Sequence, residues 1–357
     1  LQQANQNNIQ NECKNISAKH VIMRNVNGES IQMEDDDSAQ YTKSVLKSTS
    51  RKPTTGALQL GTIIKQANPI KMFCDSFLNR LCAFFRQVQA TVKPDSNLLV
   101  RFEEWVLKQC AIIATDFTGT IINAEAYINR MDSKKKDKML DEINTNFPGC
   151  LKVEGDNYYL YLDNKQERAF WRKCRRWGIM VKREKQIVED DNTKVRAISM
   201  PTEELKYALG PVCSALETYC SLKYYEFANG ENYGDMEKRL SYGFNLGYTY
   251  FVGTDYSQFD STVSSELKRI VRTNILKTMT PFVKHLSPFL YEEICDITSI
   301  NMEFYNDDES IRVSGLIDGT IQSGDPGTLL FNTLINLFIW RFIREEEGIQ
   351  SFTQIKG

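Results

Sequence analysis

The sequence has only two histidines, His20 and His285, and its nine cysteines are scattered without a single Cys-x-x-Cys pair. That excludes a zinc-finger or zinc-ribbon framework and a dense disulfide scaffold, leaving free, buried thiols in a reducing compartment as the expectation. Equally missing are a Gly-x-x-x-x-Gly-Lys loop, a Gly-x-Gly-x-x-Gly turn and a Gly-x-Ser-x-Gly elbow, so helicase, dinucleotide-binding and α/β-hydrolase chemistry lose their main support. Charge of one sign is lacking too. With 44 Lys and Arg against 46 Asp and Glu the net charge is -2, so any affinity for nucleic acid must come from local clusters. The most apolar stretch, residues 328–343, is interrupted by Asn332, Asn336 and Arg341 and falls short of the roughly 20 apolar residues that span a bilayer. It reads as a buried helix, and no transmembrane segment is expected.

What is present suits a globular chain: 357 residues, 41% hydrophobic and 25% charged, enough for two or three subdomains. Residues 1–55 are polar, carry the acidic run 34–37 and show little apolar periodicity, so they read as a loosely draped extension. From Pro69 onward Phe73, Phe77, Leu81, Phe84 and Phe85 fall at helical spacing, and residues 98–113 continue that pattern after Pro94. Residues 151–153 and 158–162 are β-prone runs on either side of Gly155, a hairpin pattern. A basic tract over 165–185 then interleaves nine Lys or Arg with Phe170, Trp171 and Trp177. It fits a solvated helix face, and it also fits base stacking with phosphate contacts. No initiator Met or cleavable leader opens the sequence, and Leu1 and Gly357 read as cuts in a longer polyprotein or reading frame.

Two segments carry chemistry. Residues 248–254 are aromatic and β-branched, the composition of a buried strand, and run directly into Asp255-Tyr256-Ser257-Gln258-Phe259-Asp260. Leu267, Ile270, Val271 and Ile275 follow at helical spacing, so both carboxylates sit at a strand-to-helix junction. An isolated Asp there would read as a turn or cap, but paired acids on rigid elements are what two-metal phosphoryl transfer requires. The second segment is Ser323-Gly324-Asp325-Pro326-Gly327-Thr328, followed by an apolar helix. Asp325 is expected at the N-cap with Pro326 at the first helical position. Thr328, Asn332 and Asn336 then share one face, and a buried amide needs a partner. A ribose 2′-hydroxyl could supply it, donating to Asp260 while accepting from the Asn332 amide, and that pair would separate NTP from dNTP.

Together these segments resemble the polymerase motifs of positive-strand RNA viruses, most closely the tombusvirus- and nodavirus-like group. Residues 253–260 resemble motif A and Ser323 to Asn332 resemble motif B, while residues 180–185 with 194–198 are similar to motif F. The resemblance spans residues 180–333 and departs from the family at Val195, where a Pro is usual, and in the acidic run 189–191.

The resemblance implies a right-hand α+β fold with helix-rich fingers and an antiparallel palm sheet. It places an N-terminal extension at 1–55, fingers and N-terminal region at 56–245 and a partial palm with a fingers insertion at 246–357, with the thumb absent. It assigns Asp255 to the catalytic metals, Mg²⁺ or Mn²⁺, and Asp260 to catalysis through the ribose. Lys182, Lys194 and Arg196 would line the NTP tunnel, and Ser323, Gly324, Thr328 and Asn332 would contact the nucleotide. RNA template, primer or product strand and NTPs are the implied partners, with other viral replication proteins and host membranes reached through other regions, in a replication complex of the host cytoplasm. Motif C, a Gly-Asp-Asp turn, is expected to begin at Gly357. Residues 155–157 could imitate a permuted motif C, but they precede motif F and read better as the hairpin turn. Asp260 opposes a reverse transcriptase, which usually carries a bulky apolar gate there. A non-catalytic RNA-binding scaffold descended from a polymerase is the other alternative, and intact motif B opposes it.

Overall fold

The computed structural model describes residues 21–25, 96–155, 157–181, 197–248, 253, 259–305 and 311–355. They fall into two compact units of mixed α and β structure.

The first unit is organised by a five-stranded sheet built from β1 (Val21–Asn25), β4 (Arg176–Val181), β5 (Ala197–Pro201), β6 (Ser299–Tyr305) and β7 (Ile311–Asp318), in the order β1-β7-β6-β4-β5. β1 and β7 run antiparallel, with Val21 opposite Gly315 and Asn25 opposite Ile311. β1 lies within the polar stretch 1–55, and β4 within the basic tract.

The second unit is mainly helical. Its elements are α1 (Ser96–Asp116), α2 (Glu125–Ile128), α3 (Ser133–Asn146), the hairpin β2 (Leu151–Glu154) and β3 (Asn157–Leu160), α4 (Asn164–Cys174), α5 (Glu203–Lys223) and α6 (Tyr233–Asn245). There follow α7 (Phe259–Thr262), α8 (Ser265–Lys268), a π turn at Arg269–Thr273, α9 (Asn274–Thr278), α10 (Pro288–Cys295) and α11 (Thr328–Glu347). The helical pattern over 98–113 is α1, and the β-prone runs pair with Leu151 opposite Leu160 and Glu154 opposite Asn157. Gly155 is therefore in a hairpin turn. The helices expected over 69–90 lie outside the described residues.

Local chemistry starts these helices. Asp163 and Gln166 form a reciprocal capping box on α4, and Asp132 and Ser287 accept backbone N–H bonds at the starts of α3 and α10. The core then forms where apolar faces meet. Phe338 and Phe342 of α11 meet Trp105 and Phe102 of α1 edge to face, with ring centroids 5.4 and 5.3 Å apart. Trp105 also donates its indole N–H to Glu345 at 2.6 Å. Burying each such aromatic side chain stabilises the fold by about 1.5–3 kcal/mol. α5 is buried along most of its length, and Tyr207 on it donates to the carbonyls of Tyr158 (3.1 Å) and His285 (3.4 Å). The six described cysteines, Cys110, Cys150, Cys174, Cys213, Cys220 and Cys295, are free and buried, as expected.

α11 also fixes the residues that follow it. Arg341 grips the fully buried Glu226 with two nitrogens at 3.1 and 2.6 Å, and Arg344 reaches both Glu226 and Ser351. Ile355 forms a parallel bridge to Phe227 beside this cluster. The segment after α11 is thus tied back to the residues that follow α5.

Candidate active site

Asp260 sits half-buried in the short α7, and after Val263 a second helical run, capped by Ser264, continues from α8 through the π turn and α9. Its backbone carbonyl accepts the N–H of Ile321 at 2.9 Å, and three residues on the carbonyl of Val263 accepts the N–H of Thr320 at 2.7 Å. These two bonds join the Asp260 turn to the segment that enters the Ser323 loop, 61 positions later in the chain. The expected strand 248–254 lies outside the described residues apart from Tyr248 and Gly253. Asp255, Lys182, Lys194 and Arg196 also lie outside them. Among the described residues no group of three or more His, Cys, Asp or Glu side chains is placed to hold a metal ion.

The joining segment turns sharply at Gly319 and Thr320, with φ of 74° and 49°. Only glycine suits the first position: its conformation is left-handed, and a Cβ there would lie 2.6 Å from the Ser265 nitrogen. Two buried cations hold the same segment from the other side. Lys268 ends α8 only 2% exposed, and its ammonium donates to the carbonyls of Thr298 (3.3 Å) and Gly319 (3.4 Å). Burial pushes its pKa down to about 7, with Arg272 adding to the fall and Asp325 and Asp318 opposing it. One turn on, Arg272 donates to Asp325 at 3.2 Å, both side chains being 3% exposed, and its guanidinium lies 5.6 Å from the Phe331 ring centroid.

That ion pair corrects the expected start of α11. Asp325 is not the N-cap and Pro326 is not the first helical residue; the helix begins at Thr328 with Gly327 at its N-cap. Asp325 is drawn instead into the core by Arg272, while its second oxygen accepts the Gly327 N–H at 2.8 Å. Gly327 leaves no room for a side chain, since a Cβ would fall 2.6 Å from the Phe331 ring. Thr328 closes the loop by donating to the carbonyls of Gln322 (2.6 Å) and Asp325 (2.8 Å). Ser323 is exposed and Gly324 half-buried at the loop tip. One helical turn further, Asn332 is half-buried and its side-chain oxygen is enclosed without a hydrogen-bond partner. A buried amide with unmet bonding capacity calls for a partner that the described residues do not supply to this oxygen. The adjacent Thr333 is satisfied: it donates to Asn229 (3.0 Å), whose amide donates to the Leu329 carbonyl (3.3 Å).

Of the nominated residues, Asp260 and Thr328 are bonded to the 319–325 turn, Ser323 and Gly324 lie at its tip, and Asn332 follows one helical turn beyond Thr328. Lys268, Arg272 and Asp325 are the functional candidates that the sequence reading missed. A signal existed: Lys268, Arg272, Ile275 and Met279 share the spacing of a helix face, and a charge on an apolar face needs a buried partner.

The basic tract divides. Phe170 and Trp177 are 0% and 2% exposed, so these two aromatics fill the interior and do not offer stacking surfaces for RNA. Trp171 is half-buried, covered by Arg175 at 4.9 Å and donating to the Glu293 carbonyl. Packing claims aromatics among cations whenever an apolar face runs through the same stretch.

Residues 238–356 match the family model described as viral RNA-dependent RNA polymerase, an interval that contains both the Asp260 turn and the Ser323–Asn332 loop. No curated protein matches the chain. No helix among the described residues is long and apolar enough to cross a membrane.

Proposed function

We propose that this chain is the fingers and partial palm of a viral RNA-dependent RNA polymerase of the tombusvirus- and nodavirus-like group, and that it carries the ribose-reading half of the nucleotidyl-transfer site. The observation that carries the reading is the pair of backbone bonds that join the Asp260 turn to the 319–328 segment, with the unpaired Asn332 oxygen one helical turn beyond it, all inside the interval that matches the polymerase family. In this reading residues 1–55 are an extension, 56–245 fingers and N-terminal region, and 246–357 palm.

Asp260 accepts a hydrogen bond from the 2′-hydroxyl of an incoming NTP, and the Asn332 amide, turned about its last bond, donates to the same oxygen. A dNTP leaves both groups unpaired, which is the basis of its rejection. Ser323 and Gly324 contact the nucleotide from the tip of a loop that Thr328 and Asp325 fold back over the helix start. Lys194 and Arg196 neutralise the triphosphate, with Lys182 on the template or NTP path. Asp255 offers the hard carboxylate oxygens that Mg²⁺ or Mn²⁺ prefers, and such an ion when bound supplies Lewis-acid stabilisation of the transferring phosphoryl group. Template RNA, a primer or product strand and NTPs are the partners, and viral replication proteins and host membranes in the cytoplasm are reached through other regions.

Primer extension on an RNA template by the full-length protein tests this. Asp255→Ala is expected to abolish synthesis and to retain RNA binding, whereas a non-catalytic scaffold would show no synthesis in the wild type either.

A further inference from the structure

Two cations on one helix face are buried beside the substrate loop, and neither is explained by the chemistry just described. Lys268 and Arg272 are four residues apart, Lys268 just before the π turn at Arg269–Thr273 and Arg272 within it. A π turn widens the helix by one residue per turn and changes which side chains share a face. Lys268 holds the carbonyl of Gly319, and Arg272 holds Asp325, so the pair grips both ends of the 319–325 segment. Thr320 and Ile321, next to Gly319, are held by Val263 and Asp260 through backbone bonds. Four attachments within seven residues leave the turn no freedom to slide along the helix. Gly319 and Thr320, both at positive φ, sit at the point of attachment.

Burial of two cations is costly, and a methionine at either position would fill similar space without that cost. What a methionine cannot do is donate to a backbone carbonyl or to Asp325. The Lys268 amine donates in either protonation state, so the attachment persists with its pKa near 7. Arg272 leaves two further nitrogens, Nε and Nη1, buried without partners, a charge retained at a cost that packing alone does not require.

We infer that Lys268 and Arg272 are positioning residues that clasp the 319–325 turn to the helix following Asp260, fixing the distance between Asp260 and Asn332 and hence the selection of ribose over deoxyribose. The selection half of the inference rests on the polymerase reading, and the clasp half does not. A displacement of about 1 Å between two groups reading one hydroxyl is enough to lose a hydrogen bond to either. The two cations touch no substrate in this scheme and act through the turn.

The test has two arms. Hydrogen exchange is measured on the 357-residue chain for wild type, Lys268→Met, Arg272→Lys and the control Arg269→Ala, whose side chain pairs with Glu103 on the surface. The Thr320 and Ile321 amides are expected to exchange at least tenfold faster in the first two variants, with the control and the α1 amides unchanged. In the second arm the full-length protein is assayed with NTP and dNTP. The ratio of kcat/KM values is expected to fall about tenfold in Lys268→Met and Arg272→Lys, mainly through improved use of dNTP. Folded variants with wild-type exchange at Thr320 and Ile321 would overturn the clasp. Faster exchange with an unchanged NTP/dNTP ratio would overturn its role in selection. A wild-type protein without RNA synthesis would refute the polymerase reading, and the exchange arm would still decide the clasp.

Discussion

Asp325→Ala isolates the buried ion pair. Both partners are 3% exposed, so removing the carboxylate leaves the Arg272 guanidinium in the interior with three nitrogens unpaired where two were before. Breaking a buried pair in this way costs about 3–5 kcal/mol, and the loss of the acceptor for the Gly327 N–H adds about 1 kcal/mol. For a unit of this size about 2–4 °C of melting temperature is lost per kcal/mol, so a fall of at least about 8 °C is expected. Replacing both partners, as Arg272→Met with Asp325→Ala, removes the orphaned charge and its desolvation together. The double variant should therefore be more stable than Asp325→Ala, with a coupling energy of about 2 kcal/mol or more. Urea unfolding followed by circular dichroism reads wild type, Asp325→Ala, Arg272→Met and the double variant. A loss under about 1 kcal/mol in Asp325→Ala, or a double variant no better than the sum of the single ones, would refute the assignment of a buried, mutually dependent pair.

Two further outcomes are expected. Asn332→Ala should lower the NTP/dNTP preference of the full-length protein about tenfold, the worth of one hydrogen bond of about 1.4 kcal/mol, and an unchanged ratio would remove Asn332 from ribose reading. Burial holds His285 at about 4, below its usual 6.5, while its ring bonds the Ala208 carbonyl at 3.0 Å. Above pH 6.5 its contribution is intact; as pH falls from 6.5 towards 4 the unfolded chain takes up a proton that the folded chain refuses, and up to about 3 kcal/mol is lost. Denaturation midpoints over that range should flatten in His285→Gln, and equal slopes would contradict the assignment.

Much of the local structure was legible because it depends on neighbours in sequence. The apolar run from Thr328 and the periodicity over 98–113 specify helices directly, and Glu154 with Asn157 around Gly155 specifies a hairpin. What escaped depends on partners far along the chain. Asp325 before Pro326 carries the usual mark of a helix start, and only Arg272, 53 residues earlier, shows that the carboxylate turns inward instead. Phe170 and Trp177 resembled stacking surfaces because composition does not distinguish the buried side of an amphipathic stretch from its solvated side. Thr328 was placed on the correct face with Asn332, but its role in closing the loop onto Gln322 follows from a turn whose path Gly319 and Thr320 set. The strand before Asp255 and the cations at 182, 194 and 196 lie outside the described residues, and their roles rest on the motif resemblance.

Whether this protein builds RNA through Asp255 is decided by one assay. Primer extension with the four NTPs on an RNA template, using full-length wild type and Asp255→Ala side by side with Mg²⁺ present, should give template-length product from the wild type alone, with equal RNA binding by both. Template-length product from Asp255→Ala at the wild-type rate would contradict it.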